Sequence, residues 1–68
     1  SGYPFGLTKD DIPLSARIIR IIDSYDVMTR HRVYKETKSK SQAIKELKTY
    51  QGSYYDEQLL DTFIALIQ

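Results

Sequence analysis

Sixty-eight residues carry ten basic and nine acidic side chains, one histidine and no cysteine, for a formal charge of +1. That length permits one small domain or a piece of one, and without cysteine there is neither a disulfide staple nor a zinc-thiolate site, so packing or a partner must hold the chain together. The balanced charge gives no drive toward nucleic acid polymers or an anionic membrane surface, and no apolar run approaches the roughly 20 residues that span a bilayer. With no leader pattern either, a soluble segment is expected, and the missing cysteine fits a reducing, cytoplasmic setting.

Ser1 to Leu7 hold two of the three glycines and one of the two prolines, which predicts an irregular, turn-rich loop. A first helix is expected over about 13–30: Pro13 suits a first turn, and Leu14, Ile18, Ile21, Tyr25 and Met28 recur on one stripe. Residues 31–38 are polar and basic without a period. Ser39 followed by Gln42 reads as a capping box that opens a second helix, about 40–51, with the stripe Ala43, Ile44, Leu47 and Tyr50 and a terminating Gly52. A third helix, about 56–67, presents Leu59, Leu60, Phe63, Ile64, Leu66 and Ile67 over a wide arc, so it is expected to bury more than one side. The fold class is therefore all-α, an irregular N-terminal loop followed by three helices.

The first helix contains an anomaly. Asp23 projects nearly opposite the stripe, but that side is not simply polar, because Ile19 and Val27 flank the acid one turn before and after it. Arg17, Arg20 and Ser24 mark the sector expected to be wet. Two readings stay open for Asp23 from spacing alone: pairing with a cation at a half-exposed edge, or ligation of a divalent cation by a carboxylate held on a rigid helix.

The residues from the N-terminus onward carry a resemblance. Gly2-Tyr3-Pro4 with Phe5-Gly6-Leu7 is similar to the signature of the HD-GYP family, metal-dependent phosphohydrolases that cleave cyclic di-GMP. Ile12 to Ile19 resembles the entry to that family's next helix, and Asp23-Ser24-Tyr25-Asp26-Val27-Met28-Thr29 resembles its aspartate, aromatic, aspartate and threonine pattern. Arg32-Val33-Tyr34-Lys35 is similar to its arginine, proline, tyrosine and basic residue, and Ser39 to Leu47 and Tyr55 to Phe63 resemble its last two helices. A lone Gly-Tyr-Pro would be an ordinary turn; four blocks in one order and spacing are far more specific.

The resemblance implies that residues 1–68 are the C-terminal part of an HD-GYP domain, in an HD-domain-like helical fold, whose metal ligands lie mostly upstream. It implies Asp23 as one ligand to divalent metal ions, iron or manganese, with Asp26 supporting that site or bonding within the fold. Tyr3, Arg32 and Lys35 match positions that face cyclic di-GMP, the ring against a guanine and the cations toward phosphate or base edges; an ordinary surface role is the alternative for each. His31 falls where the family more often has an acid and is not expected to bind metal. The basic run Arg30 to Lys40 lacks aromatic interleaving and reads as a solvated loop feeding a phosphate pocket rather than a nucleic-acid patch.

Three departures from the family pattern, Val33 for proline, Ile22 for a small residue and Val27-Met28 for a smaller pair, imply altered local packing. A single candidate carboxylate cannot hold a metal cluster, so the segment alone is expected to bind no metal tightly and to be inactive. The implied partners are the preceding part of the domain, a regulatory or sensory domain, and cyclic di-GMP. The alternative function is a catalytically degenerate module serving as a nucleotide sensor or protein-interaction platform.

Overall fold

The structure, a computed structural model, describes residues 9–30 and 36–68. Among these, a short 3-10 turn at Lys9–Asp11 leads into three helices: α1, Leu14–Thr29; α2, Lys40–Thr49; and α3, Glu57–Ile67. The expected helices are all present, with ends shifted by no more than one or two residues. The loop expected over Ser1 to Leu7 lies outside the described residues.

Each helix end has a local cause. Pro13, with φ −55° and ψ 147°, stands just outside α1 as its N-cap, one position earlier than its ring suggested; its carbonyl accepts the Arg17 N–H at 3.1 Å. The capping box at the start of α2 forms as expected: Ser39 Oγ accepts the Gln42 N–H at 3.1 Å, and Gln42 Oε1 accepts the Ser39 N–H at 2.9 Å. Beyond α2, the Tyr50 carbonyl accepts the N–H of Ser53 at 3.1 Å and of Tyr54 at 2.9 Å, while Gly52 takes φ 83°, a conformation that strains any residue with a Cβ. Asp56 caps α3, its Oδ1 accepting the Leu59 N–H at 2.9 Å.

The core forms where the three helices meet. Ile21 and Met28 come from α1, Ala43, Ile44 and Leu47 from α2, Tyr55 from the α2–α3 connection, and Leu60 and Ile64 from α3. Tyr25 and Phe63 close one flank edge to face, with ring centroids 5.3 Å apart.

Not all of the expected stripes are buried. Leu14 and Ile18 of α1, Tyr50 after α2, and Leu66 of α3, the last 78% exposed, lie outside the core. For α1 the reason is length: its 16 residues span about 24 Å, whereas the ten and eleven residues of its neighbours span about 15 and 16 Å. Two short helices cannot cover the stripe from end to end.

The sector of α1 expected to be wet is a contact surface instead. Arg17 donates from Nη1 to Asp56 Oδ2 at 2.7 Å and from Nε to the Ile12 carbonyl at 3.0 Å. Asp56 is 3% exposed, so this pair is nearly closed off from water. One turn on, the Arg20 guanidinium lies 4.4 Å from the Tyr54 ring centroid and Nη1 donates to the Tyr54 carbonyl at 3.1 Å. Tyr54 in turn meets Tyr55 edge to face at 5.0 Å. The two arginines thus fasten α1 to the connection that carries Tyr54, Tyr55 and Asp56, which helical periodicity cannot foresee because the partners lie more than thirty residues away.

Candidate metal and phosphate site

Asp23 is the tenth residue of α1, on a continuous helix whose opposite face is anchored in the core by Ile21 and Met28. Rigid backbone therefore fixes its Cα, while its carboxylate is exposed. Ile19 and Val27, expected to flank it, are exposed as well, at 53% and 44%. These three helices therefore do little to desolvate the acid, because Asp23, Ile19 and Val27 all keep much of their surface in water. Among the described residues, none of the ion pairs includes Asp23, so the cation-pairing reading has no support there.

Beside Asp23 the surface is concave. Asp23, Ser24, Val27 and Met28 of α1 line an open hollow together with Lys38, Glu46 and Tyr55. The Lys38 N–H donates to the Met28 carbonyl at 2.7 Å, which ties the approach to α2 onto the end of α1. Lys38 Nζ stands 3.6 Å from Glu46 Oε1. The sequence reading singles out neither Lys38 nor Glu46, since they are 15 and 23 positions from Asp23 and only the packing of α2 on α1 brings them together. The one signal present in the sequence is the basic run that contains Lys38.

Asp26 lies one turn after Asp23 and is half-exposed. Its Oδ1 accepts from Arg30 Nε at 2.9 Å, an i,i+4 pair on the last turn of α1, and its carbonyl accepts the Arg30 N–H at 2.8 Å. This is the within-fold hydrogen bond that was one of its two expected roles. Tyr3, His31, Arg32 and Lys35 lie outside the described residues, so the expected stacking ring and phosphate-facing cations have no geometry here.

Among the described residues, no group of three or more histidine, cysteine or acidic side chains is placed to hold a metal ion. The donor chemistry of Asp23 nonetheless fits a hard divalent cation, which takes carboxylate oxygen, provided that the remaining ligands come from elsewhere. Nor is any described helix long and apolar enough to cross a membrane.

The chain is similar to known proteins over most of its length. The HD domain family matches residues 1–59. A probable cyclic di-GMP phosphodiesterase of Vibrio cholerae is 45% identical over 94% of this chain, which covers 14% of that protein. A cyclic di-GMP phosphodiesterase of Thermotoga maritima is 36% identical over 97% of the chain and 18% of its own length. A 3'3'-cGAMP-specific phosphodiesterase of Vibrio cholerae is 37% identical over 97% of the chain and 14% of its length. The chain thus spans less than a fifth of each of these relatives. No solved structure matches it. HD-domain phosphohydrolases as a class use divalent metals. With three α-helices among the described residues and a match over most of its length, the chain belongs to the HD domain family, as its resemblance to HD-GYP domains implies.

Proposed function

We propose that residues 1–68 form the C-terminal part of an HD-GYP domain, and that the whole protein, acting in the cytoplasm, hydrolyses the phosphodiester bonds of cyclic di-GMP. Asp23 is then one carboxylate ligand to divalent metal ions, iron or manganese, whose other ligands come from the preceding part of the domain. The names of the relatives support the substrate. The observation that carries the site is the placement of Asp23: a carboxylate on a helix anchored in the core, at the edge of a hollow, on a face whose neighbours Ile19, Ile22 and Val27 are exposed apolar side chains. Exposed apolar surface of this kind marks a docking face, and a covering layer there would desolvate the acid and strengthen its bond to a cation.

Bound divalent ions lower the pKa of a coordinated water and stabilise negative charge on phosphoryl oxygens. The chain's own contribution is positional. α1 holds the Asp23 carboxylate in place, Asp26 is occupied with Arg30 at the helix end, and Arg32 and Lys35 meet the phosphates while Tyr3 packs on a guanine. The three helices alone, with one candidate ligand, are inactive.

The test is made on the intact protein supplied with manganese or iron. Asp23→Asn is expected to abolish linearisation of cyclic di-GMP and to lower the bound metal measured by atomic emission, with helical circular dichroism unchanged. Full activity and full metal content in that variant would remove Asp23 from the site.

A further inference from the structure

We propose that Lys38 is a phosphate-binding residue, its ammonium group contacting a non-bridging oxygen of the phosphodiester held beside Asp23. The inference rests on the reading that Asp23 faces the reacting phosphodiester, and it adds a residue from a different element to that site.

Four observations converge on Lys38. Its backbone is pinned by the 2.7 Å hydrogen bond from its N–H to the Met28 carbonyl, so the side chain starts from a fixed point at the end of α1. Its side chain lines the same hollow as Asp23. The contact with Glu46 is long, at 3.6 Å, and both side chains are 43% exposed, so the pair contributes little to stability and does not lock the ammonium group in place. Met28 and Tyr55, both buried, supply apolar surface that weakens solvent screening of a charge placed there.

The other described cations of the basic run are engaged elsewhere. Arg30 is held by Asp26 at 2.9 Å, and Lys40 Nζ donates to the Ile67 carbonyl at 2.7 Å. Lys38 is the described member of the run that reaches the hollow. A lysine is a compact point charge on a flexible stem, suited to a phosphate oxygen rather than to the edge of a base. It can leave Glu46 for a better anion at small cost.

The experiment uses the intact, metal-loaded protein and compares the wild type with Lys38→Met, Lys38→Arg and Asp23→Asn. Lys38→Met is expected to raise KM for cyclic di-GMP roughly tenfold, the loss of one charge-assisted hydrogen bond, with metal content held near the wild-type value. Lys38→Arg, which keeps the charge, is expected to recover most of the lost affinity. An unchanged KM in Lys38→Met overturns the inference while leaving Asp23 as a ligand, and so does a raised KM that Lys38→Arg fails to recover, because that is the mark of a packing role. Full metal content and activity in Asp23→Asn overturns the metal reading, and the inference with it. Wild-type protein that neither binds nor cleaves cyclic di-GMP overturns both.

Discussion

Arg17 and Ile18 are neighbours on α1, and the charged side chain is the less exposed of the two, 17% against 38%. The contrast extends along the helix. Arg17 and Arg20 face the connection between α2 and α3, where the Asp56 carboxylate, the Tyr54 carbonyl and the Tyr54 ring receive them, with the Ile12 carbonyl just before α1 taking a further Arg17 donor. Leu14, Ile18, Ile19 and Ile22 keep a large share of their surface in water, even though Ile18 and Ile22 line an apolar hollow with Leu59, Phe63 and Leu66 of α3. Charge alone does not decide burial. A guanidinium can be covered when its donors find acceptors, whereas an apolar side chain needs enough neighbours, and on this face the described elements cover it only in part. A contiguous apolar face of this kind belongs to an interface rather than to a finished surface.

The largest effect is expected at the covered ion pair. Arg17→Met takes the guanidinium away from the buried Asp56 carboxylate and should cost about 3 kcal/mol in urea denaturation of the intact protein. Arg17→Lys should lose less but not be neutral, because an ammonium group cannot reproduce the fork that joins Asp56 to the Ile12 carbonyl. A loss under about 1 kcal/mol for Arg17→Met would mean that the pair behaves like an exposed one, and the contrast with the apolar face would lose its force.

The apolar face tests the other half of the comparison. In the intact protein Ile22→Asp should cost about 2 kcal/mol or more if a further layer covers that face, since a carboxylate would then be forced into an apolar contact. A change within about 0.5 kcal/mol, read from the same denaturation curves, would show the face open to water. The smallest effect is expected at the pair of Asp26 with Arg30, whose side chains are well exposed. Arg30→Ala should shift stability by no more than about 0.5 kcal/mol, so that Arg17 and Arg30, both bonded to an aspartate, bracket what burial adds to one kind of contact.

Much of the architecture was legible in the residues because it depends on near neighbours. The Ser39–Gln42 box, the terminating Gly52, the start of the third helix near Asp56 and the α2 stripe of Ala43, Ile44 and Leu47 are each set within one or two helical turns, where spacing carries the information. The motif blocks around Gly2-Tyr3-Pro4 and Asp23 likewise placed the chain in its family, since order and spacing survive without coordinates.

Tertiary structure alone decided which faces are covered and what stands beside Asp23. Periodicity tells which side chains share a side of a helix; it does not tell how far a neighbouring helix extends along that side, so Leu14 falls outside the core despite lying on the α1 stripe. Nor does it show that Arg17 meets Asp56, or that Lys38 and Glu46 approach Asp23. Those contacts join residues on separate elements, and they exist only once α2 and α3 have packed against α1.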